Sequence, residues 1–190
     1  MGIGPLNFMQ KAVFLDRDGV INQPVVRKGK PYPPDSVSDL WILPGVDEAL
    51  NLLKKNNYRL IIVTNQPDVG RGKQKLAVVE EINNKILELL PIDAIRVCYH
   101  GSDDECDCRK PKPGLLLSAA KEFEIDLSKS YMIGDRWKDV EAGKRAGCRT
   151  VFIDYSYDEE KPIVSDYQSD SLLNSVKWIL ENENKSCQEN

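Results

Sequence analysis

Hydrophobic and polar positions along the chain follow two alternating periods, which predicts a succession of strands and helices. Five short apolar runs are typical of buried strands, and they cover residues 11–16, 58–65, 92–100, 130–135 and 148–154. Four segments carry apolar side chains at helical spacing, and they cover residues 45–57, 73–90, 113–124 and 137–146. A weak strand and a last helix follow in residues 163–180, with Asp170 or Ser171 as the candidate N-cap.

This order of elements predicts an α/β fold in which helices cover both faces of a parallel central sheet. No repeat and no Gly/Ser-rich linker divides the chain, so we expect a single domain over residues 1–190 with flexible ends at 1–10 and 181–190. The stretch between Asp18 and Leu43 is too short for an additional folded domain.

Composition excludes several classes of function. A net charge of −4 gives no support for binding to nucleic acids or to acidic membranes. No apolar run approaches the roughly 18 residues that span a bilayer, and no signal-peptide pattern is visible. The five cysteines are an odd number, and without a secretion signal they indicate a reducing compartment. We therefore expect a cytoplasmic protein.

In open parallel sheets, ligands bind beyond the carboxyl ends of the strands, and four predicted strands end in or just before Asp16, Thr64, Cys98 and Asp135. Asp16 and Asp18 lie two residues apart around a turn that also contains Gly19. Such a pair suits a hard cation or supplies a nucleophilic carboxylate. Taken alone, the same pattern also fits an ordinary polar turn.

The neighbouring segments favour the catalytic interpretation. They add a hydroxyl, cationic donors and a second acidic pair: Thr64, Lys110, Lys112, Asp135 and Asp139. Together with the first carboxylate pair, these groups are the components of metal-assisted phosphoryl transfer.

Four motifs occur in a fixed order along the chain, and they read FLDRDGVIN, VTNQ, RKPKPG and IGDRWKDVEAG. In this order they resemble the four successive motifs of the haloacid dehalogenase superfamily of phosphatases, over roughly residues 11 to 180. The resemblance implies a Rossmann-like, three-layer fold without a cap domain. It also implies a Mg²⁺-dependent phosphatase that forms an aspartyl-phosphate.

The resemblance also implies roles for the acidic residues. Asp16 is expected to attack phosphorus, and Asp18 to protonate the leaving oxygen and then activate water. Mg²⁺ is expected to be held by Asp16, by the backbone carbonyl of Asp18 and by Asp135, with Asp139 as an outer partner.

The remaining motif residues are expected to hold the substrate. Thr64 and Lys110 would stabilise the transferring phosphoryl oxygens, and Asn65, Gln66 and Arg109 would bind the substrate. Arg136 is left open. Arg71 either reaches a phosphate or braces its turn.

A cluster of cysteine and histidine precedes RKPKPG, with Cys98, His100, Cys106 and Cys108 in the spacing C-x-H-x5-C-x-C. Three thiolates and one imidazole form a closed ligand set that suits structural zinc; a redox Cys-x-Cys pair is the alternative. The cluster is similar to the zinc loop of heptose bisphosphate phosphatases and histidinol-phosphate phosphatases. We expect the zinc to fix the residues that follow the loop.

The loop of residues 23–34 carries Arg27, Lys28 and Lys30, which either attract a second anionic group of the substrate or form a solvated basic loop. The first interpretation favours a heptose 1,7-bisphosphate over histidinol phosphate. One departure from the heptose subgroup is Pro67-Asp68 after the second motif, because proline has no N–H to donate.

The expected activity is therefore release of the 7-phosphate in nucleotide-activated heptose synthesis, by a monomer. Histidinol phosphate or another small sugar phosphate is the alternative substrate. A catalytically inactive sensor of phosphosugars is the rival of another class.

Overall fold

The computed structural model describes residues 9–101 and 103–186, and it confirms the predicted alternation of strands and helices. The strands are β1 (Ala12–Leu15), β2 (Val25–Arg27), β3 (Lys30–Tyr32), β4 (Arg59–Asn65), β5 (Ala94–Cys98), β6 (Tyr131–Gly134), β7 (Arg149–Ile153) and β8 (Tyr167–Ser169). The helices are α1 (Val46–Lys55), α2 (Pro67–Gly70), α3 (Leu76–Leu89), α4 (Gly114–Phe123), α5 (Trp137–Ala146) and α6 (Leu172–Ser186). No helix within the described ranges combines the length and the hydrophobicity that crossing a membrane requires.

Six parallel strands form the central sheet in the order β5-β4-β1-β6-β7-β8. Strand β1 lies in the middle, with Leu15 opposite Ile62 of β4 and Ile133 of β6. The carboxyl ends of β5, β4, β1 and β6 consequently lie side by side. These are the four strands whose ends carry the chemically interesting residues.

Alternate side chains of β1 enter opposite faces of the sheet, as the strand period requires. Val13 and Leu15 belong to a core cluster that includes apolar side chains of α1, α3 and α6. Ala12 and Phe14 belong to a second cluster with side chains of α4 and α5. The predicted three-layer architecture is therefore confirmed.

Between Asp18 and α1, the described chain contains only an antiparallel hairpin of β2 and β3 and one 3₁₀ turn over Val37–Asp39. The expectation that no cap domain occupies this stretch is confirmed. The hairpin itself was not predicted, because its alternation of apolar and polar residues is weak. The Pro67-Asp68 dipeptide opens the short helix α2, with proline in the first turn, where its missing N–H costs nothing.

Helix α6 begins at a predicted N-cap but extends beyond its predicted end. The N–H of Asn174 donates to the Ser171 hydroxyl over 3.3 Å, which confirms Ser171 as the N-cap. The helix continues to Ser186, whereas a frayed polar segment was predicted from residue 181. Glu183 accepts hydrogen bonds from Tyr58 and from Lys11, and these contacts hold the polar last turns against the sheet. Residues 1–8 and 187–190, also predicted to be flexible, lie outside the described residues.

Candidate active site

The ends of the central strands bring the predicted acidic residues and threonine into one buried corner. The N–H of Asp16 donates to the Ile133 carbonyl over 2.9 Å, which continues the hydrogen-bond ladder one residue beyond β1. Thr64 lies near the end of β4, and Asp135 follows β6 directly. All three side chains are buried.

Lys110 is buried and fixed by three acceptors. Its ammonium donates to Asp16 Oδ1 over 2.8 Å and to the Val63 carbonyl over 2.7 Å, and it pairs with Asp139 Oδ1 at 2.6 Å. Burial alone would lower the pKa of Lys110, but Asp139 and Asp16 outweigh it and raise that pKa to about 12. The lysine therefore remains a cation that points at Asp16 from a fixed direction.

The carboxylates outnumber the cation that faces them. Oxygens of Asp16, Asp135 and Asp139 lie within 4.8 Å of one another, and the ammonium of Lys110 pairs with two of the three. Burial raises the pKa of Asp16 to about 6, against the attraction of Lys110. Burial and the neighbouring carboxylates Asp16 and Asp139 also raise the pKa of Asp135 well above its ordinary value.

The geometry around Asp135 fits a divalent cation. Within residues 9–101 and 103–186, neither of its side-chain oxygens has a hydrogen-bond partner of normal geometry, although the Tyr157 hydroxyl is close. Unpaired buried carboxylate oxygens are costly, and oxygen ligands are those that Mg²⁺ prefers. A divalent ion would balance three carboxylates against one ammonium, so Asp16 and Asp135 are suited to hold it.

Gly19 makes room for Asp135. Its backbone has a φ of +93°, and a Cβ at this position would lie 1.9 Å from Asp135 Oδ2. Any larger residue would have to displace the carboxylate that is suited to the metal.

We expect the substitution Gly19→Ala to weaken Mg²⁺ binding at least about 10-fold, because Asp135 must move. The loss in free energy of unfolding should exceed the roughly 1–2 kcal/mol cost of positive φ alone. Gly147→Ala is the matched control, since Gly147 has a φ of +89° and a Cβ added there would meet no described atom within 4 Å. Urea unfolding and Mg²⁺ titration of both variants measure the difference, and equal effects of the two substitutions would contradict this explanation.

Asp18 lies outside this group of three carboxylates and is held by other side chains. Its Oδ2 accepts from Gln66 Nε2 over 2.8 Å, and its Oδ1 accepts from Asn22 Nδ2 over 3.0 Å. The guanidinium of Arg17 contacts both oxygens. The side chain of Asp18 is therefore separate from the metal group, which leaves its expected magnesium contact to the backbone carbonyl.

Two amides that were predicted to bind substrate are engaged within the protein. Gln66 also donates to Thr64 Oγ1 over 3.0 Å, so it bridges Thr64 and Asp18. Asn65 donates to the Lys110 carbonyl over 3.0 Å and accepts from the Lys110 N–H over 3.1 Å. Asn65 thereby holds the backbone of the lysine, and direct substrate contacts of the two amides stay a prediction.

The cysteine and histidine side chains converge at the end of β5. The Cys98–Cys108 sulfur separation is 3.2 Å, the Cys98–Cys106 separation is 3.9 Å, and His100 Nδ1 lies 3.3 Å from the Cys108 sulfur. Sulfurs on a tetrahedral zinc ion lie about 3.8 Å apart, which the Cys98–Cys106 separation matches. All four ligand atoms lie within 4.8 Å of one another, so they could hold one ion. Burial and a hydrogen bond with Cys108 raise the pKa of the Cys98 thiol to about 12, so a bound cation would be needed to keep it ionised.

The loop that carries these ligands contacts the motif after it. Arg109 Nη1 donates to the His100 carbonyl over 2.8 Å, and Lys112 donates to the Cys106 carbonyl over 2.7 Å. The N–H of Gly70 in α2 donates to the Tyr99 carbonyl over 3.1 Å. The cluster is therefore coupled to the segment that positions Lys110.

Two of the other predicted substrate-binding cations lie in surface ion pairs. Arg27 pairs with Asp35, and Arg71 lies 3.4 Å from Asp68. Lys28 is exposed at the turn of the β2–β3 hairpin, with a φ of +50°. Their contacts with a substrate stay a prediction.

Several residues near the site carried no signal in the sequence. The guanidinium of Arg136 makes two hydrogen bonds with Glu159, of 2.7 and 2.6 Å. The N–H of Asp158 donates to the Gly29 carbonyl over 3.1 Å and ties this stretch to the hairpin. Burial and the nearby Asp135 carboxylate raise the pKa of Tyr157. Tyr157, Asp158 and Glu159 belong to a stretch without a motif, so only the three-dimensional structure reveals them as neighbours of the site.

Known phosphatases are similar to this chain over most of its length. The chain is 35% identical over 175 residues to a D-glycero-beta-D-manno-heptose-1,7-bisphosphate 7-phosphatase of Helicobacter pylori strain J99, covering 89% of this chain and 97% of the relative. An enzyme of the same name from Pasteurella multocida is 37% identical over 182 residues, covering 88% and 94% of the two chains.

A solved structure gives the same result at the level of the fold. It is the D,D-heptose 1,7-bisphosphate phosphatase of B. bronchiseptica, complexed with magnesium and phosphate, which superposes with a TM-score of 0.75 at 27% identity. The match covers 91% of this chain and 99% of that one. The profile of the haloacid dehalogenase-like hydrolases matches residues 33–147. The chain belongs to the haloacid dehalogenase-like hydrolase family.

Proposed function

We propose that the protein is a Mg²⁺-dependent phosphatase that removes the 7-phosphate from D-glycero-β-D-manno-heptose 1,7-bisphosphate. The observation that carries the proposal is the buried group of Asp16, Asp135 and Asp139 around the ammonium of Lys110. The names of the relatives support the sugar and the β anomer. The activity would serve nucleotide-activated heptose synthesis. Action as a monomer in the cytoplasm stays a prediction.

In the first step, the Asp16 carboxylate attacks phosphorus, and the bond between phosphorus and the sugar oxygen breaks. Asp18 gives its proton to that oxygen, so the sugar leaves as a neutral alcohol. The ammonium of Lys110, 2.8 Å from Asp16 Oδ1, and the Thr64 hydroxyl are placed to stabilise phosphoryl oxygens as charge moves.

In the second step, water attacks the aspartyl-phosphate, and the Asp18 carboxylate takes the proton of that water. Phosphate leaves, and both aspartates return to their starting states. Bound Mg²⁺ supplies positive charge that offsets repulsion between the phosphate and the nucleophile. Asp16, Asp135 and the Asp18 carbonyl are the proposed holders of the ion.

The pH dependence of Mg²⁺ stabilisation follows from the raised carboxyl pKa values. Without metal, the folded state binds a proton on Asp16 more tightly than the unfolded state does, because the pKa of Asp16 is about 6 in the fold rather than 3.8. The bound proton stabilises the fold at low pH, and this stabilisation is lost as pH rises through about 6. Mg²⁺ needs the ionised groups and competes with protons below that pH. We therefore expect the rise in Tm on adding Mg²⁺ to be small near about pH 5 and several-fold larger near about pH 8. A rise independent of pH would contradict the assignment of these carboxylates.

The substrate is tested by measuring phosphate release with a panel of compounds. We expect kcat/KM for the β-heptose 1,7-bisphosphate to exceed the values for the α anomer, histidinol phosphate and hexose bisphosphates by at least about 10-fold. If histidinol phosphate gives the highest kcat/KM, the proposed sugar is wrong while the chemistry of Asp16 survives. If no phosphate ester is hydrolysed, the protein is a binding module and the proposal fails.

Structural zinc in the cluster of Cys98, His100, Cys106 and Cys108 is part of the proposal. We expect about one zinc ion per chain in protein purified without chelator, and its loss in the Cys106→Ser variant. Because the loop holds Arg109 and the segment of Lys110, kcat/KM should fall about 10-fold or more in that variant. Cys148→Ala is the control, since Cys148 is another free cysteine that lies outside the cluster. Full activity without zinc would contradict the link between the loop and Lys110.

A further inference from the structure

Arg17 lies between the two aspartates of the first motif and is the largest fully buried side chain among the described residues, with 0% exposure. Burying a charge costs several kcal/mol unless partners satisfy it. The guanidinium donates through Nη2 to both oxygens of Asp18, over 3.1 and 3.0 Å, and through Nε to Oδ1 over 3.3 Å. The cation is thus paired with the residue proposed to transfer the proton.

Asn83 holds the guanidinium from the opposite side. Its Oδ1 accepts from Arg17 Nη1 over 2.9 Å, across 66 residues of sequence. Asn83 lies on the buried face of α3, whose other buried members are apolar: Val79, Ile82 and Ile86. A buried polar side chain on an apolar helix face requires a partner, and the partner of this one is Arg17.

The carboxylate of Asp18 has further donors from two other segments, Asn22 Nδ2 and Gln66 Nε2. Its side chain is 14% exposed, whereas that of Arg17 is fully enclosed. The arginine therefore cannot reach the substrate through solvent, and any influence on the reaction has to act through Asp18.

We propose that Arg17 and Asn83 are positioning residues that restrain the side chain of Asp18 for proton transfer to the leaving oxygen. The inference rests on the proposed acid–base role of Asp18. Both oxygens of Asp18 accept hydrogen bonds from the Arg17 guanidinium and from neighbouring amides, so the side chain is restrained to one conformation. The benefit depends on the leaving group: a sugar alkoxide needs the proton to leave, whereas p-nitrophenolate leaves without it.

The test compares kcat/KM for the heptose 1,7-bisphosphate and for p-nitrophenyl phosphate, both with Mg²⁺, in Arg17→Met and Asn83→Leu. We expect losses of about 30-fold or more on the bisphosphate for Arg17→Met and about 5-fold for Asn83→Leu, against less than about 3-fold on the aryl ester. Arg17→Lys should recover part of the lost rate, because it restores the charge without the fork.

If the pair had a purely structural role, its loss would lower kcat/KM equally for both substrates. That result overturns the inference. Thr150→Val is the control, because it removes another fully buried hydrogen-bonded side chain, 2.7 Å from Asp166, far along the sheet. It should lower stability without dependence on the leaving group. If Arg17→Met does not fold, Asn83→Leu and Arg17→Lys carry the comparison.

Asp18→Asn separates failure of the inference from failure of the proposed function. It should show the same dependence on the leaving group, more strongly than either neighbour. The inference alone is wrong if Asp18→Asn lowers kcat/KM mainly for the sugar ester while Arg17→Met and Asn83→Leu lower it equally for both esters. If Asp18→Asn lowers kcat/KM equally for both substrates, the proposed acid role of Asp18 is wrong, and the inference is wrong as well.

Discussion

Replacing Asp16 with asparagine is expected to abolish phosphate release, with a fall in kcat of at least about 10⁴-fold, because the amide oxygen is a far weaker nucleophile than the carboxylate. The substitution keeps the size of the side chain and removes a carboxyl group whose pKa burial already raises to about 6. Lys110 retains Asp139 as a partner at 2.6 Å, so the fold should persist. Loss of activity can then be attributed to chemistry.

Turnover of p-nitrophenyl phosphate with Mg²⁺ measures this effect without any assumption about the sugar. Asp107→Asn is a matched control, since its carboxylate is 97% exposed and pairs with Lys112 at the surface. The control should keep the rate of the unchanged protein. An undiminished rate in Asp16→Asn would overturn the proposed mechanism whatever the substrate.

Replacing Lys110 with methionine is expected to damage both catalysis and stability. The substitution leaves Asp16 and Asp139 buried without the cation that pairs with both. Removing one partner of a buried ion pair costs about 3–5 kcal/mol in free energy of unfolding. Losing the charge beside the phosphoryl group should lower kcat by about 10²–10³-fold. Urea unfolding without Mg²⁺ and phosphate release measure the two effects separately.

Two further variants make the lysine experiment specific. Lys85→Met removes a lysine on α3 that is 45% exposed and pairs with Glu88 at the surface. Surface ion pairs contribute about 0–1 kcal/mol, so both measurements should change little. Adding Asp139→Asn to Lys110→Met removes one of the two orphaned charges. It should recover part of the stability but none of the activity. If the single variant keeps a kcat within about 10-fold of the unchanged protein, Lys110 does not stabilise the reaction.

The sequence predicted the parts of the site that follow from local patterns, such as strand ends and short spacings. Asp16 and Asp135 each follow a short apolar strand, so the rule for parallel sheets predicts from the sequence alone that they share one edge. The cysteine and histidine ligands lie within eleven residues of one another, and their convergence was expected from that spacing. The identity of the bound metal at either site stays a prediction.

Contacts between distant segments could not be predicted. Asn65 holds the backbone of Lys110 across 45 residues, and Gln66 reaches Asp18 across 48. From the sequence both amides were predicted to be substrate ligands, because a motif gives the type of a residue but not which groups face it. Asn83 was hidden for a related reason: helical periodicity counts apolar positions and ignores a polar residue on the same buried face.

The last helix extends further than composition predicts, and contacts with a distant segment are again the reason. Its final turns are rich in Glu and Asn, which indicates a frayed end when only composition is considered. In the structure, Glu183 contacts Lys11 and Tyr58 from the amino-terminal side of the sheet. Tertiary contacts therefore override the local pattern, as they do for many marginal helices.

The central claim is that the protein removes the 7-phosphate and leaves the 1-phosphate in place. Phosphorus-31 NMR follows both groups in one sample of the β-heptose 1,7-bisphosphate with Mg²⁺ and a small amount of the protein. We expect the 7-phosphate signal to be replaced by inorganic phosphate while the 1-phosphate signal persists, and Asp16→Asn to leave both signals unchanged. Loss of the 1-phosphate first, or no change with the unaltered protein, would contradict the account.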